Sequence, residues 1–93
     1  MNSLIWQTTE EIDLEIAQRL RKIRKRKALS QESLALKSGV SLGSIKRFEN
    51  TGEISLKSLT KIATALECVN DLQNIFADVA YRNIEEVVNE SRK

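Results

Sequence analysis

Residues 31–50, QESLALKSGVSLGSIKRFEN, leave the chain few ways to fold. Ser30 stands just ahead of them, where its side chain can accept from a free amide in the first turn of a helix. Leu34 and Ala35 fall on one face of that helix. Gly39 then sits where the helix ends and the backbone takes a positive φ, which costs glycine little. Val40 is the apolar residue inside the turn. Ser41 caps a second helix whose inward face is Ile45 and Phe48. The other face carries Leu42, Gly43, Ser44, Lys46 and Arg47, side chains that are short or basic, with no acid among them.

Composition supports the same picture for the rest of the chain. Its 93 residues suffice for one small domain with one modest core. There is no proline and there are only three glycines, so few turns are encoded and an all-helical fold is expected. Aromatic residues make up 4%, so leucine and isoleucine must build the core. The net charge is only +2, yet it is unevenly placed. Arg19, Arg21, Lys22, Arg24, Lys25, Arg26 and Lys27 form a basic run between acids at Glu10, Glu11, Asp13 and Glu15 and at Glu85, Glu86 and Glu90. A local basic patch on a nearly neutral chain implies a placed anionic partner.

Taken in order, the chain opens with Leu4, Ile5 and Trp6, which form either a flexible arm or a core or dimer contact, the contact favoured because such side chains are costly to leave in water. Thr8 and Glu11 have capping-box spacing. Ile12, Ile16, Leu20 and Ile23 then recur on one face of an amphipathic helix, opposite most of the basic run. On that charged face Glu15 and Arg19 have the spacing of an i,i+4 pair. After residues 31–50, the Asn50-Thr51-Gly52 segment ends the second short helix. Ser55 caps another, with Leu56, Leu59, Ile62, Ala63 and Leu66 as its buried stripe. Asn70 is expected to cap a last short helix bearing Leu72, Ile75 and Phe76. This gives an all-α chain of five helices with a short C-terminal extension. In residues 77–93, Tyr81, Ile84, Val87 and Val88 fit either one helical stripe or an extended segment against a partner.

The stretch 31–50 resembles the helix-turn-helix of the Cro and lambda-repressor-like (XRE) family. The matching features are Gln31 first, a small Ala35 fifth, Gly39 ninth, Ile45 fifteenth and Phe48 eighteenth, all at fixed spacing. The flanking LRKIRKRKALSQ and ISLKSLTKIATALECVNDLQNIF look like the first, fourth and fifth helices of that family. The resemblance spans roughly residues 12–76. It implies an N-terminal arm (1–11), a five-helix lambda-repressor-like DNA-binding domain (12–76) and an extension (77–93) for dimer or partner contact.

The resemblance further implies that Gln31 contacts a phosphate. The short, basic face of the second helix suits the major groove of double-stranded DNA. Arg47 can pair bidentately with guanine, and Lys46 can do so less rigidly or take a phosphate. Ser41 and Ser44 can contact a base or phosphate, Leu42 can pack on a thymine methyl, and Gly43 can admit a close backbone approach. Asn50 completes the DNA-binding set. In this family the positions of Arg24 and Glu49 commonly form an ion pair between the first and recognition helices, so Arg24 is expected to be a scaffold residue. A homodimer on a palindromic operator, acting as a repressor, is the expected mode.

A second resemblance concerns FENTGEISLKSLTKIATALECVNDLQNIF followed by YRNIEEV. It is similar to small regulators encoded beside kinase-type toxins of type II toxin–antitoxin systems, which implies a protein toxin partner. The basic run and Gln31 argue against a purely structural helical module.

No histidine base, nucleophile elbow or phosphate-binding glycine loop is present, so no enzyme is expected. Without histidine and with one cysteine, neither a zinc site nor any cofactor is implied. Cys68 cannot form an internal disulfide and, beside Leu66 and Val69, reads as a small core residue. No apolar run approaches the roughly 20 residues of a membrane span, and the N-terminus lacks signal-peptide features. A cytoplasmic location is expected.

Overall fold

A computed structural model describes residues 6–78. Among these residues the chain forms five helices and no strand: α1 (Thr9–Arg26), α2 (Gln31–Ser38), α3 (Leu42–Thr51), α4 (Leu56–Ala65) and α5 (Val69–Gln73). The all-α architecture read from the sequence is the one found.

Local chemistry sets most helix boundaries. Thr8 and Glu11 form a reciprocal capping box at the start of α1. Ser30, Ser41 and Ser55 each accept from the backbone N–H three residues on, capping α2, α3 and α4. Gly39 ends α2 at φ +76°, and Gly52 ends α3 at φ +84°. Where no glycine is available, Ala28 and Glu67 take left-handed backbone after α1 and α4. At Gly52 the close approach matters as much as the angle. A Cβ there would lie 2.6 Å from the Asp13 carbonyl carbon and 2.7 Å from the Leu14 nitrogen. The end of α3 is therefore seated directly on the backbone of α1.

The core lies where α1 packs on α3 and α2 packs on α3 and α4. Leu34, Ile45, Ile62 and Leu66 are fully buried, with Ala17, Val40, Phe48 and Ala63 beside them. Each large aliphatic side chain so buried is worth about 1.5–3 kcal/mol.

Several expected contacts are corrected. Ile12 and Ile16 are exposed, and Leu20 and Ile23 only half-buried; the centre of the α1 stripe is instead Ala17 with Arg24. A small residue at 17 lets a neighbouring helix come close, and the Arg24 guanidinium occupies the interior in the scaffold position expected of it. Leu56 is exposed because α4 buries Ile62, Ala63 and Leu66 while its first turn faces outward. Asn70 lies inside α5 rather than capping it. The turn at Glu67 and the Cys68 N–H bond to Ala63 start the helix two residues earlier, with Cys68 at the cap position and no side-chain cap. Ile75 and Phe76 follow α5 and are exposed, as is Trp6. Leu4, Ile5, Tyr81, Ile84, Val87 and Val88 lie outside the described residues.

Candidate nucleic-acid interface

α3 has two faces of opposite character. Ile45, Phe48 and Glu49 point inward and are buried. Gly43, Ser44, Lys46, Arg47 and Asn50 are exposed, and Leu42 is half-buried. The outward set is therefore one continuous surface, with Ser41 at its leading edge. Ser41 and Ser44 are joined twice: the Ser44 N–H donates to Ser41 Oγ at 3.1 Å, and the hydroxyls meet at 2.9 Å. A Cβ at Gly43 would meet nothing. Packing within the chain thus places no demand for glycine there.

Beneath this surface sits a buried ionic cluster. Arg24 grips Glu49 with two parallel bonds, Nε to Oε2 at 2.8 Å and Nη2 to Oε1 at 3.0 Å. Its remaining Nη1 donates to the Leu29 carbonyl at 2.7 Å, tying the α1–α2 connection to the same group. Gln31 Nε2 donates to Glu49 Oε1 at 2.9 Å. Arg21 Nε stands 3.9 Å from the same oxygen. Burial by itself would raise the Glu49 carboxyl. The bonds from Arg24 and Gln31, and the charges of Arg24 and Arg21, outweigh it and hold the pKa below the ordinary 4.5. A buried carboxylate with this many donors keeps its charge and joins α1, α2 and α3 in one unit.

Gln31 thus has a second partner that its position in the sequence did not reveal. One amide hydrogen goes to Glu49. The other hydrogen and the carbonyl oxygen remain for an external group. Arg24 sits within the basic run yet faces inward, while Lys22, Lys25 and Arg26 are exposed and make no ion pair among the described residues. Lys27 reaches Glu67 at 3.2 Å. Cys68 is half-buried; burial and the Asp71 carboxylate push its thiol up against the opposing charge of Lys27. A thiol held protonated in this way is a poor nucleophile.

Sequence reasoning missed the partner of Arg47. Its Nη2 donates to Glu53, just beyond α3. The spacing of six residues is not a helical one, so no helix rule finds it. The signal is Gly52, whose left-handed conformation turns the chain back along the helix. Thr51 then fixes the return: its hydroxyl donates to the Arg47 carbonyl at 2.7 Å and accepts the Glu53 N–H at 3.1 Å.

A short helix, a glycine turn and a second helix held by a buried ionic frame, with a polar and basic outer face, define a DNA-binding helix-turn-helix protein. The family model described as Helix-turn-helix matches residues 20–69. The chain belongs to that family, in its Cro and lambda-repressor-like (XRE) branch, and is a DNA-binding transcription regulator. None of the curated proteins and none of the solved structures compared with it gives a match. No helix of the described residues is long and apolar enough to cross a membrane.

Proposed function

We propose that the protein is a repressor that binds a palindromic operator as a homodimer, with residues 12–76 as the DNA-binding unit and 77–93 contributing to subunit or partner contact. The observation that carries it is the outward surface of α3, which presents Ser44, Lys46 and Arg47 on a helix whose other face is locked into the core. In this role Arg47 reads a guanine and Lys46 a base or phosphate. Ser41, Leu42, Ser44 and Asn50 line the groove, and Gly43 permits close approach. Gln31 spans from Glu49 to a phosphate. The work is binding, without catalysis or cofactor, and takes place where the DNA is, in the cytoplasm.

One recognition helix covers too little DNA for specific affinity, so two copies are needed about 34 Å apart. An apolar groove between α1, α4 and the segment around α5, lined by Ile16, Leu20, Leu59, Leu72 and Ile75, supports pairing with a second copy. The antitoxin-type reading, in which a kinase-type toxin is also bound, rests on the Thr51–Ser55 turn and the tail sequence. Co-purification with the product of the neighbouring gene tests it.

Selection from a random DNA pool tests the main reading. An inverted repeat should emerge, with binding that weakens steeply in salt. Arg47→Ala should cost about 1–3 kcal/mol and relax one base position per half-site, while Gln31→Ala should weaken all sequences alike. Unchanged binding by both variants at moderate salt would remove α3 as the reading helix. Deleting 77–93 should leave a folded, largely monomeric domain by sedimentation, with reduced operator affinity.

A further inference from the structure

The guanidinium proposed to read DNA is already engaged by a carboxylate. Arg47 and Glu53 line a hollow with Ser44, Ser55 and Ser58 between α3 and the start of α4. The backbone at Glu53 is held where its side chain reaches Arg47. Gly52 turns the chain, Thr51 holds the Glu53 N–H, and Gly52 itself is seated on α1. An acid at this place beside the DNA-facing surface weakens attraction to phosphate, so it needs a reason.

We propose that Glu53 is a positioning residue for base reading, one that steers Arg47 away from phosphates and presents it to a base edge. It rests on the reading of Arg47 as a base-contacting residue. An exposed arginine near DNA has two kinds of acceptor available. Phosphates attract its charge regardless of sequence, whereas guanine O6 and N7 reward the orientation of its fork. A neighbouring carboxylate offsets the charge and repels phosphate within a Debye length. It does not use up the fork. Nη2 carries two hydrogens, and with one on Glu53 the other remains, beside Nη1 or Nε, for a pair of acceptors on a base. Glu53 therefore subtracts from the sequence-independent part of binding and preserves the sequence-dependent part.

The test compares wild type, Glu53→Gln, Glu53→Asp and Arg47→Ala by selection from a random duplex pool. Each is then titrated against the selected duplex and a scrambled one at fixed salt. Glu53→Gln should bind the scrambled duplex roughly 3- to 10-fold tighter, with a steeper salt dependence and weaker preference at the one base position that Arg47→Ala abolishes. Glu53→Asp should retain part of that preference. An equal rise for both duplexes makes Glu53 a plain charge and overturns the proposal. So does an unchanged base preference in Glu53→Gln when Arg47→Ala loses it. If Arg47→Ala leaves every base preference intact, the base-reading role of Arg47 fails and the positioning role falls with it.

Discussion

Among the described residues two hydrogen-bonded arginine–carboxylate pairs involve α3, and they differ in almost everything but their chemistry. Arg24 and Glu49 are 7% and 9% exposed, while the side chains of Arg47 and Glu53 are 65% and 62% exposed. The inner pair is bidentate, and further donations from Gln31 to Glu49 and from Arg24 to Leu29 surround it. The outer pair uses one nitrogen and faces solvent. Water screens the outer pair and leaves its energy small; exclusion of water makes the inner pair costly to disturb from either side. The same two functional groups thus act as a structural frame in one place and as an adjustable contact in the other.

The largest effect should come from breaking the inner pair on one side. Arg24→Met leaves the Glu49 charge buried without its main partner and should destabilise by about 3–5 kcal/mol in chemical denaturation. Arg26→Met, two residues away on the exposed face, should stay within about 0.5 kcal/mol of wild type. Equal melting temperatures for the two would show that Glu49 is solvated. Replacing both Arg24 and Glu49 by methionine should recover much of the loss, because no charge is then stranded.

Next comes Gly52, which links the two pairs by returning the chain from α3 toward Arg47. Gly52→Ala adds a Cβ against the α1 backbone at a positive φ and should cost roughly 2–4 kcal/mol. A neutral result would mean that the α1–α3 approach relaxes freely.

Acid should separate the pairs through Glu49. Its folded pKa is lowered, so its contribution is fully present above the ordinary carboxyl value of 4.5 and disappears as pH falls through the folded value. Wild-type stability should therefore decline below that pH, and the decline should be shallower when position 49 is Gln. Parallel acid curves for the two would show that other carboxylates carry it.

The smallest effect on stability belongs to the outer pair. Glu53→Gln should change unfolding free energy by under about 0.5 kcal/mol, and added salt should erase the difference. A larger, salt-insensitive loss would make the outer pair part of the frame.

How much of this was legible depended on the range of the interaction. Ser30, Ser41, Ser55, Gly39 and the Thr8–Glu11 box act within a few residues, and the sequence shows them directly. Ile45 and Phe48 announce the buried face of α3 because that helix is packed by both α1 and α2. Ile12, Ile16 and Leu56 mislead because periodicity gives a stripe's direction, not how far a neighbouring helix covers it. The left-handed turns at Ala28 and Glu67 carry no glycine to mark them. The bonds from Gln31 to Glu49 and Arg47 to Glu53 need the folded path of the chain before either partner is near the other.

The division of α3 into two faces has a consequence for how such a regulator changes its target. Residues that hold the helix in place, Ile45, Phe48 and Glu49, are not those proposed to meet DNA, and Ser44, Lys46 and Arg47 are exposed. Exposed substitutions outside special features typically shift stability by no more than about 0.5 kcal/mol. The outer positions can therefore be exchanged in combination without melting the scaffold. A descendant or a designed library can explore new operators one side chain at a time while remaining folded throughout.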